Sequence, residues 1–256
     1  EGRARQAEVV DIATKEGLRI LGPNTNGIFN ASDKLSLGYN TSHGDALTPG
    51  PFSVAAHSGA LFNSLAPRLR DLRTGLSKFV PVGNEADLDM LDFLEYFIED
   101  PDTGVIGLIM EAIGDGARLR RLAARAQNAG KPIIALKLGR SAAGAGAANA
   151  HSTRLAGSAR AYDALFKDCG IAVVPSVEAM AGAAALLMNR AEQSFPENNA
   201  LVCISTTGGG AALLADQAAA RALTLAGDEN GAWAGGVADV INTFDGAGQI
   251  RNPTDT

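Results

Sequence analysis

Five times between Pro51 and Arg190 a short apolar run gives way to a stretch with helical spacing, and this alternation limits the possible folds more than any other feature of the chain. The runs are Phe52–Ala56, Lys78–Val82, Thr103–Met110, Ile133–Leu136 and Ile171–Val174. They have the length and near-continuous apolarity of strands buried on both faces. After the first, Leu61, Leu65, Leu69 and Leu72 line one side of a helix. Leu91, Leu94, Tyr96, Phe97 and Ile98 follow the second, residues 118–129 the third and residues 155–166 the fourth. After the fifth, Ser176 caps a helix rich in Ala, Leu and Met that runs toward Arg190. Parallel strands need crossover connections, so repeated strand and helix units predict an α/β protein with a doubly wound, flavodoxin-like parallel sheet.

Outside that region the signals are more local. Ala7, Val9, Val10, Ile12 and Ala13 form a helical stripe that Gly17 ends, and Leu18–Leu21 reads as a short strand. Gly22-Pro-Asn-Thr-Asn-Gly27 is dense in turn residues, and residues 31–50 read as a linker. Residues 191–199 read as a second linker. Ala200–Ser205 then opens another strand, with Thr206-Thr-Gly-Gly-Gly-Ala211 turning into a helix over Ala212–Leu223. Residues 226–248 are rich in glycine and lack periodicity. The implied domains are 1–30, 51–190 and 200–256, the last being the start of a second flavodoxin-like domain.

The net charge of −6 and the scattered Lys and Arg argue against a nucleic-acid surface, so any phosphate-handling site is electropositive only locally. No apolar run has the length of a membrane span, and Glu1-Gly-Arg-Ala-Arg-Gln resembles a helix fragment rather than a charged leader, which suggests a cytoplasmic protein. Cys169 and Cys203 have neither metal-ligand spacing nor a disulfide framework, and no metal site is expected.

Three places combine reactive groups with backbone suited to anions. Lys137 to Ser158 joins a strand to a helix through small residues and one imidazole, His151. Taken alone, His151 is simply a solvated loop histidine. Ser58-Gly59 follows a strand and opens a helix, the arrangement that aims free N–H groups at a phosphate. The Gly208-Gly209-Gly210 turn allows similarly close approaches. Glu111 sits at the carboxyl end of a buried strand, where ligands bind in doubly wound sheets. The acidic residues Asp87 and Asp89 can also serve simply as helix-start charges.

Lys137, Gly139, Arg140, Ser141, Gly144, Ala147, Ala148, His151, Leu155, Ala156 and Gly157 resemble the phosphohistidine loop of the NDP-forming acyl-CoA synthetases, relatives of succinyl-CoA synthetase. Ala150, Ser152, Thr153 and Arg154 depart from its usual Ser, Thr, Gly and small residue. Further segments are similar to family elements, among them those holding Glu111 and Asn252-Pro-Thr-Asp255. Gly22-Pro-Asn with Gly27 resembles the element closing the CoA-binding domain, with Thr25 in place of a cysteine. Ser58-Gly59-Ala60-Leu61 resembles the element facing the phosphohistidine, with His57 replacing Gln or Arg as a phosphate neighbour. Gly83-Asn84 with Ala86, Asp87 and Asp89 matches a third, and Gly208-Gly209 with Ala215 and Asp216 a fourth.

The resemblance implies an acid–CoA ligase forming acyl-CoA from a carboxylic acid, CoA and ATP through an acyl phosphate and a phosphohistidine at His151. Glu111 would hold the ring nitrogen that does not carry phosphate. Ser58, Gly59, Ala60, Gly208 and Gly209 would bind phosphate, and Gly22 and Asn24 would contact CoA. Two domains of succinyl-CoA-synthetase type are implied, the second incomplete, with residues 1–30 as the end of a CoA-binding domain. ATP or ADP and Mg²⁺ would belong to an ATP-grasp domain or subunit within an oligomer, and this chain alone would be inactive. Two alternatives are an acyl-CoA-sensing regulatory or acyltransferase-associated relative and a non-catalytic α/β scaffold.

Overall fold

The computed structural model describes residues 2–38, 48–144, 146, 158–188, 199–201 and 207–225. The chain divides into two compact units, Glu1–Gln193 and Ser194–Thr256. In the first, the helices are α1 (Gly2–Lys15), α2 (Phe62–Asp71), α3 (Met90–Glu99), α4 (Gly116–Asn128), α5 (Ala159–Asp168) and α6 (Val177–Met188). Its strands are β1 (Gly27–Asn30), β2 (Leu35–Gly38), β3 (Pro49–Ala56), β4 (Leu76–Pro81), β5 (Val105–Met110), β6 (Ile133–Lys137) and β7 (Ala172–Val173).

These strands form one sheet in the order β2-β1-β4-β3-β5-β6-β7. The five strands from β3 to β7 pair in parallel. From β3 the chain steps outward to β4, then returns past β3 to β5 and continues the other way. That is the flavodoxin-like order, and the gap between the carboxyl ends of β3 and β5 is its switch point. Every residue of β4, β5 and β6 is buried, including the polar Ser77, Lys78 and Lys137.

Helices cover both faces. On one side Phe62, Leu65 and Leu69 of α2 and Met180, Ala181 and Ala184 of α6 pack with Phe52, Val54, Phe79 and Ile134. On the other, Leu94 and Phe97 of α3, Leu119 and Leu122 of α4, and Phe166 of α5 pack with Ala55, Val80, Ile106 and Leu108. Full burial of a Leu or Phe side chain contributes about 1.5–3 kcal/mol, so these two layers hold the sheet together.

Two segments differ from the expectations drawn from sequence. Leu18–Leu21 forms no strand. Its backbone instead lies beside the turn after β4, where Leu88, Ala86 and Asn84 N–H donate to the carbonyls of Ile20, Gly22 and Pro23 at 3.1, 2.9 and 2.9 Å. Part of the stretch read as a linker is β2, which forms a hairpin with β1, and β1 in turn pairs antiparallel with β4. Short strands around a turn dense in Ser, Asp and Lys leave little periodicity to read. The turn is held by Asn30, whose Oδ1 accepts from Asp33 N–H at 3.0 Å.

The second unit contributes β8 (Ala200–Leu201), α7 (Gly208–Ala219) and β9 (Thr224–Leu225), with β8 and β9 parallel. The helix starts four residues earlier than the sequence suggests, because Thr207 Oγ1 accepts from Gly210 N–H at 3.0 Å and caps it. The three glycines therefore form its first turn.

Candidate active site

The switch point is bridged by one imidazole. His57 follows β3 directly, and its backbone N–H donates to Ile109 O at 2.9 Å, extending the pairing with β5 by one rung. Its side chain adds the next contact: Nδ1 accepts from Glu111 N–H at 3.1 Å. An accepting Nδ1 carries no proton, so the neutral ring is the Nε2–H tautomer. Nε2 lies 3.2 Å from Glu85 Oε1, an ion-pair distance at too oblique an angle for a hydrogen bond. The two side chains are only 4% and 1% exposed. His57, expected to be a phosphate neighbour, is therefore a buried brace between two carboxylate-bearing segments, because its ring points into the protein.

Glu111 itself is half-buried just past β5, and among the described residues its carboxylate takes no hydrogen bond. Its backbone is held on both sides. His57 receives the N–H of Glu111, and the Tyr162 hydroxyl receives that of Ile113 at 2.9 Å. Lys137, at the end of neighbouring β6, is a buried cation with its ammonium 4.7 Å from the centre of the Tyr162 ring. It also donates to Leu138 O. Burial pushes its pKa below the usual lysine value, as does Arg140, and Glu111 partly offsets both.

Glu85 belongs to the turn joining β4 to α3 and takes a left-handed backbone, φ +51°. That conformation is costly for a residue with a Cβ. Its Oε1 accepts from Met90 N–H at 2.7 Å. The expected acidic pair in this turn has structural work. Asp87 accepts from Ile20 N–H at 2.7 Å and from Nε and Nη2 along one edge of the Arg19 guanidinium, which holds its carboxyl below the usual carboxylate range. Asp89 and Asp92 exchange hydrogen bonds in a capping box at the start of α3.

Gly22 and Asn24, the expected CoA contacts, also brace this turn. Gly22 O accepts from Ala86 N–H, and Asn24 Nδ2 reaches Asn84 Oδ1 at 3.4 Å. A cleft of about 550 Å³ lies between α1 and the same segments, lined mainly by Val9, Val10, Ile20 and Pro23. Neither Glu111 nor His57 lines it.

Of the expected phosphate residues, Ser58 stands in extended backbone before a short 3₁₀ turn over Gly59–Leu61, and its hydroxyl makes no cap hydrogen bond. The capping expected of it is absent because α2 begins only at Phe62. Gly59 is buried and Ala60 exposed. A Cβ on Gly59 would lie 2.9 Å from Asn26 Cγ, so this position needs glycine for the packing of Asn26. Gly208 and Gly209 are in the second unit at the start of α7, where a Cβ on Gly209 would meet open space.

The stem of the histidine loop is anchored. Arg140 Nη1 and Nη2 donate to the two carboxylate oxygens of Asp163 on α5 at 2.8 and 2.9 Å. Gly139 takes φ +69°, and Ser141 Oγ accepts from Gly144 N–H at 3.0 Å. His151 lies outside the described residues. Among the described residues, no cluster of His, Cys, Asp or Glu is placed to hold a metal ion, and no helix is long and apolar enough to cross a membrane.

Sequence reading missed the role of Glu85 and the link from His57 to Glu111. Neither has a local signal: Glu85 stands at a freely varying position of its motif, and 54 residues separate His57 from Glu111.

Comparison with known proteins places this geometry in context. Residues 49–187 match the family described as succinyl-CoA ligase like flavodoxin domain. The alpha subunit of acetate–CoA ligase (ADP-forming) II of Pyrococcus furiosus is 37% identical over 227 residues, covering 88% of this chain and 48% of the relative. The 4-hydroxybutyrate–CoA ligase (ADP-forming) of Nitrosopumilus maritimus is 31% identical, with 88% and 32% covered. A dinucleotide-forming acetyl-coenzyme A synthetase 1 of Candidatus Korarchaeum cryptofilum, solved with phosphate and ADP, aligns with a TM-score of 0.74 at 34% identity, covering 86% and 47%. The chain thus spans less than half the length of each of these relatives. With a family match over more than half its residues, the chain belongs to the succinyl-CoA ligase like flavodoxin domain family.

Proposed function

We propose that this chain supplies the phosphoryl-carrying core of an ADP-forming acid–CoA ligase, with His151 as carrier and Glu111 as the group that orients it. The observation that carries the reading is Glu111 at the switch point, with its backbone fixed on both sides and its carboxylate uncommitted among the described residues. A carboxylate on one ring nitrogen of a histidine fixes the tautomer and leaves the other nitrogen as nucleophile. In the forward direction, acid, CoA and ATP give acyl-CoA, ADP and phosphate. In reverse, phosphate displaces CoA from acyl-CoA to form an acyl phosphate, and the imidazole takes its phosphoryl group and releases the acid.

ATP, Mg²⁺ and the ATP-grasp module belong to a partner domain or subunit in this reading, and the substrate class is a carboxylic acid with its CoA thioester. Gly22 and Asn24, which also hold the turn after β4, are the proposed CoA contacts. Ser58, Gly59, Ala60, Gly208 and Gly209 remain the proposed phosphate contacts.

The test incubates the full-length protein with acetyl-CoA and radiolabelled phosphate. Acid-labile label that requires both reagents and disappears in His151→Ala supports the proposal. No label, or label persisting in His151→Ala, overturns it. A protein that binds acyl-CoA without labelling is the sensing alternative.

A further inference from the structure

His57 does more than fill space beside the site. Three contacts tie it to two parts of the chain: backbone N–H to Ile109 O and Nδ1 to Glu111 N–H at the end of β5, and Nε2 toward Glu85 in the turn after β4. Its ring takes the place that a backbone carbonyl would hold on the next rung of the β3/β5 ladder, which ends with Ala56 opposite Ile109. A side-chain acceptor in that place fixes where β5 stops and where the Glu111 side chain departs. On its other edge the ring faces a buried carboxylate whose backbone is held left-handed. Burying a carboxylate is costly without partners, and Glu85 Oε1 takes the Met90 N–H, with His57 Nε2 at 3.2 Å.

The turn containing Glu85 is hydrogen-bonded in turn to Gly22 and Pro23. Contacts therefore run without a break from the 20–24 segment through Glu85 and His57 to Glu111. We infer that His57 is a positioning residue for the phosphoryl-transfer site: its Nδ1, unprotonated in the Nε2–H tautomer, accepts the Glu111 N–H and so fixes where the orienting carboxylate leaves β5. This inference rests on the proposed role of Glu111.

An acceptor at the Nδ1 position, rather than bulk, is what the role needs. Asparagine keeps an oxygen close to that position, and leucine keeps the volume without an acceptor. The test measures phosphohistidine formation from acetyl-CoA and phosphate in the full-length protein for His57→Asn and His57→Leu. His57→Asn is expected to retain most of the rate. His57→Leu is expected to lose roughly 10–100-fold, by analogy with the loss on removing a group that orients a metal ligand. The loss falls on kcat, with KM for acetyl-CoA little changed, because the ring reaches no substrate in this role.

A packing role predicts the opposite order, since leucine fills the buried space better than asparagine. Nitrogen-15 spectra of histidine-labelled protein read the tautomer without turnover. Nε2–H at neutral pH supports the inference, and Nδ1–H overturns it. Equal rates for His57→Leu and His57→Asn, with labelling intact in the wild type, overturn the inference alone. Absence of label in the wild type instead overturns the proposed function, and the positioning role falls with it.

Discussion

Lys137 and Glu111 stand one rung apart on neighbouring strands: Lys137 is paired with Met110 across β6 and β5, and Glu111 is the next residue. The buried ammonium feels the carboxylate. Among the described residues it has no carboxylate within ion-pair distance, only the Leu138 carbonyl and the face of Tyr162. A cation so placed is expensive for folding and useful beside an anion. Lys137→Met is expected to leave stability unchanged or raise it while slowing phosphohistidine formation at least 10-fold, about 1.4 kcal/mol of lost transition-state stabilisation. Thermal unfolding and labelling on the same preparation check both halves. Because burial lowers the lysine pKa, the sign of the pH effect follows. The cost of the buried charge is present below the folded pKa and is relieved as pH rises through it toward the unfolded value, so wild type gains stability relative to Lys137→Met over that alkaline window.

The turn carrying Glu85 depends on Gly83. A Cβ there would lie 2.2 Å from Pro23 O, and the backbone is left-handed at φ +58°. Gly83→Ala is expected to cost at least about 1–2 kcal/mol from the backbone conformation alone, with the clash added. Gly182 lies inside α6 with nothing within 4 Å of an added Cβ, so Gly182→Ala is expected to stabilise by about 0.5–1 kcal/mol. Urea unfolding of the two variants side by side tests whether the distinction is one of space and φ.

The parallel core was legible because burial on both faces leaves a signal in each strand: Phe52–Ala56 and Val105–Met110 can be little else. Glu111 was legible for the same reason, as an acid placed at the end of such a run. The β1–β2 hairpin was not, since Leu35 and Leu37 are exposed on an edge strand and nothing in four residues forces a strand assignment. The brace from Gly22 to Ala86 was hidden because it joins backbone groups, which every residue carries. His57 was visible as an odd residue at a motif position, but its direction depends on Glu85, whose left-handed backbone no local rule predicts.

Helix α4 begins just beyond Glu111 and is capped by Asp115, whose Oδ1 accepts from Arg118 N–H at 2.8 Å. Asp115→Ala is expected to cost about 1 kcal/mol, and Asp115→Ser to restore most of it. Neither is expected to change phosphohistidine formation under conditions where the protein is folded, because the Ile113 N–H is held by Tyr162 and not by the cap. Unfolding curves and labelling rates for the two variants separate helix stability from site geometry.

At the amino end of the sheet, Lys78 on β4 donates to Asp100 Oδ2 at 2.7 Å, with both side chains almost fully buried. Thr103 Oγ1 donates to the same oxygen. Burial alone would raise the Asp100 pKa, but the hydrogen bonds from Lys78 and Thr103 outweigh it and hold the carboxyl below its usual range. Lys78→Met leaves that carboxylate buried without its counter-charge, and breaking such a pair from one side costs about 3–5 kcal/mol. Replacing both partners, as in Lys78→Met with Asp100→Asn, is expected to cost less than the single change. The pH dependence follows from the lowered pKa. The Asp100 contribution is fully present above the unfolded carboxylate range and is lost as pH falls through the folded value, so wild type loses stability on acidification more steeply than the double variant. Urea midpoints measured from neutral pH down through that range test it, and parallel curves for the two proteins would show that the pair contributes nothing to acid sensitivity.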